Sequence, residues 1–149
     1  MEKLLVILVL CSLVLFGDIP PMFIQGNGNA TYYDNRGQIT GIATQHGNRT
    51  TYRDVSGRII GSATKDSSGR IYYQNSRGQF IGSAKQMGGQ TYYKDQAGRT
   101  VAISSQLGNQ TVYRDARGQN IGTASHNNNG KQTTFRKPNG TISGTRTGR

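Results

Sequence analysis

Residues Gly47 to Thr64 read Gly-Asn-Arg-Thr-Thr-Tyr-Arg-Asp-Val-Ser-Gly-Arg-Ile-Ile-Gly-Ser-Ala-Thr, and variants of this stretch fill almost the whole chain after residue 28. Aligning the copies on Asp54 gives equivalent positions separated by 20, 21, 20, 20 and 22 residues: Asp34, Asp54, Asn75, Asp95, Asp115 and Lys137. A fixed period of this size is the signature of a repeat architecture. The chain is therefore predicted to contain six copies of one unit of about twenty residues.

Each unit has the pattern of a β-hairpin. Thr50-Thr51-Tyr52 is typical of a strand, because β-branched and aromatic residues favour strands. An aromatic residue stands two positions before the alignment position in every copy: Tyr32, Tyr52, Tyr73, Tyr93, Tyr113 and Phe135. A glycine follows three positions after it: Gly37, Gly57, Gly78, Gly98, Gly118 and Gly140. Asp at the first position of a turn and Gly at the fourth favour a type I turn with a glycine bulge, which joins two short strands.

The returning strand of each unit contains a further recurring glycine. It stands at Gly41, Gly61, Gly82, Gly122 and Gly144, and Ala102 replaces it in the fourth copy. Glycine weakens a strand, so a recurring one indicates close approach of another backbone or an overlying side chain. A tyrosine ring lying across a cross-strand glycine would be such a contact. The sequence leaves the register open, because a turn with a bulge and a turn without one differ by one residue and exchange the two faces.

These patterns predict an all-β protein in which tandem hairpins of about twenty residues form one continuous antiparallel sheet. The sheet is expected to be a meander, a coiled sheet or a β-solenoid. Only 33% of the chain is hydrophobic, so stability is expected to come from many contacts between neighbouring units. The terminal copies are expected to act as caps, the last one with Lys137-Pro138 at its turn and Arg146 where a small residue recurs.

The N-terminus has a different character. Residues 4–16 are apolar apart from Ser12, which fits the hydrophobic part of a secretory signal and is short for a membrane-spanning helix. We predict a leader helix at residues 1–26, either a signal peptide with cleavage between residues 17 and 30 or an uncleaved anchor, which would be the only membrane contact. Six repeats are assigned to residues 28–145 and a basic tail to residues 146–149. The expected location is secreted, periplasmic or on the cell surface.

The chain is strongly basic. It has 18 Lys and Arg against 7 Asp and Glu, for a formal net charge of +11. Charge of this size governs attraction to polyanions and solubility, not the fold. Bases that follow the recurring tyrosines predict a ligand-contact stripe made of Tyr52, Arg53, Tyr73, Tyr93, Lys94, Tyr113 and Arg114. The alternative is a solvated charged face that protects open strand edges from aggregation.

No catalytic, metal or cofactor constellation is recognisable in the sequence. His46 and His126 both stand between repeats, and a metal site needs several clustered ligands. The aspartates are interpreted as turn residues, except Asp66, which is assigned to a loop between repeats. There is no Gly-x-Ser-x-Gly motif and no phosphate loop. The chain is therefore expected to be neither an enzyme nor a cofactor-binding protein.

Four Asn-x-Ser/Thr triplets are candidate glycosylation sites. They begin at Asn29, Asn48, Asn109 and Asn139. In a secretory pathway with N-glycosylation, such asparagines would carry glycans in surface loops. Repetition of Gly-Asn-x-Thr also explains two of them as turn residues.

The stretch Tyr33-Asp34-Asn35-Arg36-Gly37-Gln38-Ile39 resembles the tyrosine-aspartate repeats of RHS and teneurin-type proteins. The resemblance extends over roughly residues 28–145, although one residue separates Tyr from Asp in the second, fourth and fifth copies and Asn75 replaces Asp in the third. In that family the repeats form a spiralling β-sheet shell or an extracellular surface. The resemblance implies hairpin repeats in an exported protein.

Taken together, the residues favour an exported, non-enzymatic surface or secreted interaction protein that binds a glycan or another polyanion. The first alternative is a fibre or matrix subunit that self-associates through open sheet edges. The second is binding to a nucleic acid backbone, because tyrosines beside bases suit stacking and charge recognition of single strands.

Overall fold

The computed structural model describes residues 28–127, 129 and 131–148, and this part of the chain is entirely strand and turn. Its twelve strands are β1 Ala30–Asp34, β2 Ile39–His46, β3 Arg49–Asp54, β4 Ile59–Lys65, β5 Ile71–Asn75, β6 Phe80–Met87, β7 Gln90–Asp95, β8 Thr100–Leu107, β9 Gln110–Asp115, β10 Asn120–His126, β11 Gln132–Arg136 and β12 Ile142–Gly148. The predicted leader at residues 1–26 lies outside the described residues. No helix among the described residues has the length and apolar character needed to cross a membrane.

The strands form one antiparallel sheet that closes on itself. Each strand pairs with its neighbours in sequence, and β1 pairs with β12, with Tyr32 opposite Arg146. The prediction of a single continuous antiparallel sheet is confirmed, and its form is a closed up-and-down barrel, not a solenoid. The terminal repeats do not cap an open array. They pair with each other, because the accumulated twist of six hairpins brings the first strand beside the last.

The barrel has two unlike ends. The turn end is formed by the six connections at residues 34–37, 54–57, 75–78, 95–98, 115–118 and 137–140. The terminal end contains the links between hairpins, the start of β1 and the end of β12. Residues 146–148, assigned to a basic tail from the sequence, are the last part of β12, and Arg146 is buried at 4% exposure.

The turns at the turn end have the predicted structure. In the first, the Gly37 amide donates to the Asp34 carbonyl at 3.1 Å, and the Asp34 amide donates to Gln38 at 2.9 Å. Gly37 has a φ of +78°, a left-handed conformation that favours glycine. The Asp34 carboxylate also accepts the amides of Arg36 and Gln38, both at 2.8 Å. This is a type I turn with a bulge, and the sheet register shifts beside it, between Tyr32 and Tyr33.

Asp66 lies between two repeats, as predicted, but its exclusion from the turn-forming aspartates was wrong. Its carbonyl accepts the Gly69 amide at 3.1 Å, and its carboxylate accepts the amides of Ser68 and Arg70. Asp66 therefore forms the same Asp-x-x-Gly turn at the terminal end, between β4 and β5. Hydrogen bonds, the strongest from the Ser68 hydroxyl and others from Arg70 and Tyr72, outweigh desolvation and lower the pKa of this carboxyl group.

The interior is built from aromatic rings set opposite small residues. The buried hydrophobic residues are Ala30, Tyr32, Ala43, Ala63, Tyr73, Ala84, Tyr93, Ala102, Tyr113, Ala124 and Phe135. Within each hairpin the register places the aromatic residue directly opposite the recurring glycine, as with Tyr32 and Gly41 or Tyr73 and Gly82, and in the fourth opposite Ala102. Large rings alternate with glycine and alanine around the wall, so the rings fill the middle of a barrel that aliphatic side chains of ordinary size would leave hollow.

The glycines opposite the rings also allow close approach of the next hairpin. A Cβ atom added at Gly41 would lie 2.7 Å from the Arg53 carbonyl oxygen, and one added at Gly82 would lie 2.4 Å from that of Lys94. Both distances are below any normal carbon–oxygen contact. The sequence-based interpretation of close backbone approach is therefore confirmed at these two positions.

Candidate functional site

The predicted stripe of tyrosines and bases does not form one surface. Tyr73, Tyr93 and Tyr113 face the interior with 2–4% exposure, and Tyr52 packs against the same core. Arg53, Lys94 and Arg114 each follow one of these tyrosines, and consecutive residues of a strand point to opposite faces. The bases therefore lie on the outer wall near the turn end, separated from the rings by the sheet. Strand alternation was the sequence signal that would have separated them.

The doubled tyrosines place one ring on each face of the wall. Tyr73 is 2% exposed, whereas the preceding Tyr72 is 36% exposed and contacts Phe80 with ring centres 6.3 Å apart. Tyr92 likewise faces outward beside the buried Tyr93, and it pairs with Lys85 of β6. The outer rings, not the recurring inner ones, are the aromatic groups available to a ligand on the wall.

Exposed bases gather at the turn end. Eight exposed bases of the described chain stand within the turns or on the outer wall next to them: Arg36, Arg58, Arg77, Lys94, Arg99, Arg114, Arg117 and Lys137. Arg53 and Arg136 lie at the same end and are half-buried. Arg53 and Arg136 reach back over their own turns, since Arg53 donates to the Gly57 carbonyl at 2.9 Å and Arg136 to that of Gly140 at 3.0 Å. We call the ten bases at this end the basic collar.

The carboxylates at the same end are occupied by the backbone. Asp54 accepts the amides of Ser56 and Arg58, and Asp115 accepts those of Arg117 and Gln119, at 2.8–3.0 Å. Among the described residues the one ion pair is Arg99–Asp95, at 2.7 Å. Although desolvation acts to raise it, the pKa of Asp95 is lowered by hydrogen bonds from Arg99 and by its charge. The other bases of the collar have no carboxylate partner within ion-pair distance in the described residues.

The terminal end of the interior is polar and contains two cavities. One, of about 360 Å³, lies between β1–β5 and β12 and is lined by Tyr32, Tyr52, Tyr73, Lys65 and Arg146, among others. The second, of about 430 Å³, lies on the opposite side, between β6 and β10. Small inward residues line both cavities, Ala43 and Ala63 in the first and Ser104 in the second, and they leave space that larger side chains would fill.

The second cavity is lined by neutral polar groups and two rings. Tyr93 and Tyr113 contact each other with ring centres 6.5 Å apart, and the Tyr93 hydroxyl lies 3.3 Å from that of Ser104. Burial raises the pKa of Tyr93 to about 12 and raises that of Tyr113 further. Both phenols therefore stay protonated across the physiological range, and neither is poised to act as a base.

His126 is an interior residue, not a solvated loop histidine. Its ring nitrogens lie 3.2 Å from the Thr111 hydroxyl and 3.0 Å from the Thr133 hydroxyl. Burial, and secondarily the nearby charge of Arg146, lowers the pKa of His126. The neutral imidazole then links β9, β10 and β11, a structural role. No group of three or more His, Cys, Asp or Glu residues that would hold a metal ion occurs among the described residues.

The four asparagines of the Asn-x-Ser/Thr triplets are all exposed and lie outside the strands. Asn48 and Asn109 occupy equivalent links at the terminal end, where each side-chain amide donates to a carbonyl of the next hairpin, Lys65 at 2.9 Å and His126 at 3.2 Å. Asn29 and Asn139 accept backbone amides from Gln45 and Thr141. All four therefore have a structural function in the described chain, and glycosylation stays a prediction.

No protein-family model and no curated protein matches this chain. The resemblance to tyrosine-aspartate repeats accordingly depends on the short motifs quoted above.

Proposed function

We propose that the chain is an exported, non-enzymatic binding protein whose turn end docks on a polyanion, with an acidic or sulfated glycan as the leading ligand class. The observation that carries this proposal is the basic collar. Exposed guanidinium and ammonium groups surround one end of the barrel, while the aspartates of that end are committed to turn amides. A cluster of one sign of charge attracts a polyanion and accelerates its encounter.

A glycan is favoured because aromatic rings are available on the same outer wall. Tyr72 and Phe80 form an exposed pair, and Tyr92 lies beside Lys85 on neighbouring strands. A sugar ring has a flat apolar face that suits such rings, and its acidic substituents suit the bases. The apolar segment at residues 4–16 supports export.

Closure of the sheet removes the support for the fibre alternative. Self-association through edges needs a strand with unpaired backbone groups, and each of the twelve described strands has a partner on both sides. Nucleic acid binding is less favoured, because the recurring tyrosines that precede Arg and Lys residues lie inside the barrel and cannot stack on nucleobases. Nucleic acid is retained as a comparison ligand in the test.

The test compares two variants that lose the same charge. The first replaces Arg36, Arg77 and Arg117 by Gln, removing three exposed bases from the turns while leaving the backbone turn contacts in place. Its control replaces Arg49, Arg70 and Lys131 by Gln, removing three exposed bases that lie at the terminal end. Binding to a sulfated polysaccharide and to double-stranded DNA is measured at several salt concentrations.

We expect the wild-type protein to bind the polysaccharide with an affinity that falls steeply as salt rises. For the first variant the slope of log affinity against log salt should become shallower by up to about three. The control should retain most of its slope. Equal losses in both variants would refute a role for the turn end, and tighter binding to DNA than to the polysaccharide of equal charge density would refute the choice of ligand.

A further inference from the structure

Arg146 breaks the pattern of the barrel interior. The equivalent inward position in the other repeats holds a small residue: Ala43, Ala63, Ala84, Ser104 and Ala124. The sixth repeat instead places a guanidinium inside the barrel, opposite Tyr32 on β1 and Thr133 on β11. Arg146 is 4% exposed. Burying a guanidinium where the other repeats have a small residue is costly unless a negative charge pairs with it.

The described residues do not provide that counter-charge. The four described aspartates outside the terminal end belong to the turns of the turn end, and Asp66 belongs to the β4–β5 turn. Arg146 interacts with the Tyr32 hydroxyl, but burial raises the pKa of Tyr32, so this phenol stays neutral. The Arg146 Nε atom is buried and has no hydrogen-bond partner among the described residues. Unsatisfied buried donors are rare in folded proteins, and one on a cation is costly.

Arg146 lines the cavity of about 360 Å³ at the terminal end, and Lys65 lines the same cavity with an exposed side chain. This volume lies within the usual range for small-molecule sites, about 300–1,000 Å³. The wall also contributes the rings of Tyr52 and Tyr73, and the polar side chains of Gln45 and Asn48. The lining therefore combines a buried cation, aromatic faces and neutral hydrogen-bonding groups.

We propose that this cavity binds a small organic acid of the size of one sugar, with its carboxylate on Arg146, its ring against the tyrosines and its hydroxyl groups on the amides of Gln45 and Asn48. Because Nε is buried, the guanidinium must rotate towards the cavity to form a charge-assisted hydrogen bond with the carboxylate. The site is at the opposite end of the barrel from the basic collar and does not depend on the function proposed for that collar.

Glucuronate is a suitable probe, and glucose is the matched neutral compound. Thermal unfolding of the full chain is followed while each is titrated at constant ionic strength. A ligand that binds only the folded state raises the melting temperature in a saturable way. We expect glucuronate to do so, glucose to have no effect at the same concentrations, and inorganic phosphate to have a smaller effect than glucuronate.

Arg146→Ala is the decisive variant, and it should fold because five repeats already have a small residue at this position. Its apparent Kd for glucuronate should rise at least about tenfold, the usual consequence of losing a charge-assisted contact. Lys85→Gln, which removes a base from the outer wall, should leave the Kd unchanged. Nitrogen NMR gives a second measurement. The Arg146 Nε–H signal is identified as the one that is missing from the spectrum of Arg146→Lys. In the wild-type protein this signal should shift as glucuronate is added.

Three outcomes would overturn the proposal. One is an equal glucuronate response in wild type and Arg146→Ala. Another is an equal response to phosphate and glucuronate, which would indicate a site for inorganic anions. The third is a melting temperature of the wild-type protein that glucuronate does not change.

Discussion

Replacing Gly82 by alanine should destabilise the barrel more than the same change at Gly41. The new Cβ atom would lie 2.4 Å from the Lys94 carbonyl oxygen and 3.6 Å from the Asp95 Cα atom. Strands β6 and β7 must separate by about 0.6 Å or more before that contact reaches even a very tight 3.0 Å. Gly82 also has a φ of +158°, which side chains rarely adopt.

Overpacking and backbone strain each cost about 1–3 kcal/mol, so the variant should lose about 2–4 kcal/mol of unfolding free energy. For a domain of this size the loss corresponds to a fall in melting temperature of about 6–16 °C. Circular dichroism during heating would measure it, with urea unfolding as an independent measure of free energy.

Two matched variants make the reasoning testable. Gly41→Ala has the milder contact of 2.7 Å and no unusual φ, so its loss should be smaller than that of Gly82→Ala. Ala102 holds a side chain at the equivalent position of the fourth repeat, so Ala102→Gly should cost only about 0.5–1 kcal/mol of added chain entropy. The argument fails if Gly82→Ala melts within about 3 °C of wild type, or if Ala102→Gly is the more damaging change.

Two further predictions concern the tyrosines. Tyr73→Ala should lower the free energy of unfolding by about 3–5 kcal/mol, as for other large buried rings, and Tyr72→Ala by about 1 kcal/mol or less. Urea unfolding measures both losses. Similar losses in the two variants would contradict the assignment of these rings to opposite faces. The barrel should also lose stability in alkali, because burial raises the pKa of Tyr93 from its ordinary value of 10.0 to about 12. The stability present below pH 10 is therefore lost as the pH rises towards 12. Phenolate absorbance should then appear together with loss of the circular dichroism signal, and gradual ionisation of all tyrosines before unfolding would contradict this prediction.

Much of the local structure could be predicted from the sequence because it is encoded within a few residues. Asp and Gly at the first and fourth positions specify the turn, since the carboxylate caps the amides and Gly37 adopts a left-handed φ. The repeating period then transfers this turn to every copy. The same reasoning would have identified Asp66, since Asp66-Ser67-Ser68-Gly69 has the pattern of the other turns.

The closed barrel could not be predicted in the same way, because closure is a property of the whole sheet. Pairing of β1 with β12 depends on the number of hairpins, the twist of each and the register added by each bulge. A one-residue difference at each bulge would exchange the two faces. The assignment of the ligand-contact stripe to a single surface was wrong for a simpler reason. It placed Tyr52 and Arg53 on the same face, although neighbouring residues in a strand face opposite ways.

Repetition explains both how the barrel is filled and where it remains open to a ligand. Five tyrosines and Phe135 fill the middle of the interior, and the glycines opposite them leave room for the rings. Towards the terminal end the repeated residue is small, so the same regularity that packs the middle leaves space there. A function at this end therefore requires a departure from the repeat, and Arg146 is such a departure, placing a buried cation beside the cavity. If the cavity were only a packing defect, evolution would gain nothing from a charge at that position, and Arg146→Ala would stabilise the barrel with or without an organic acid present.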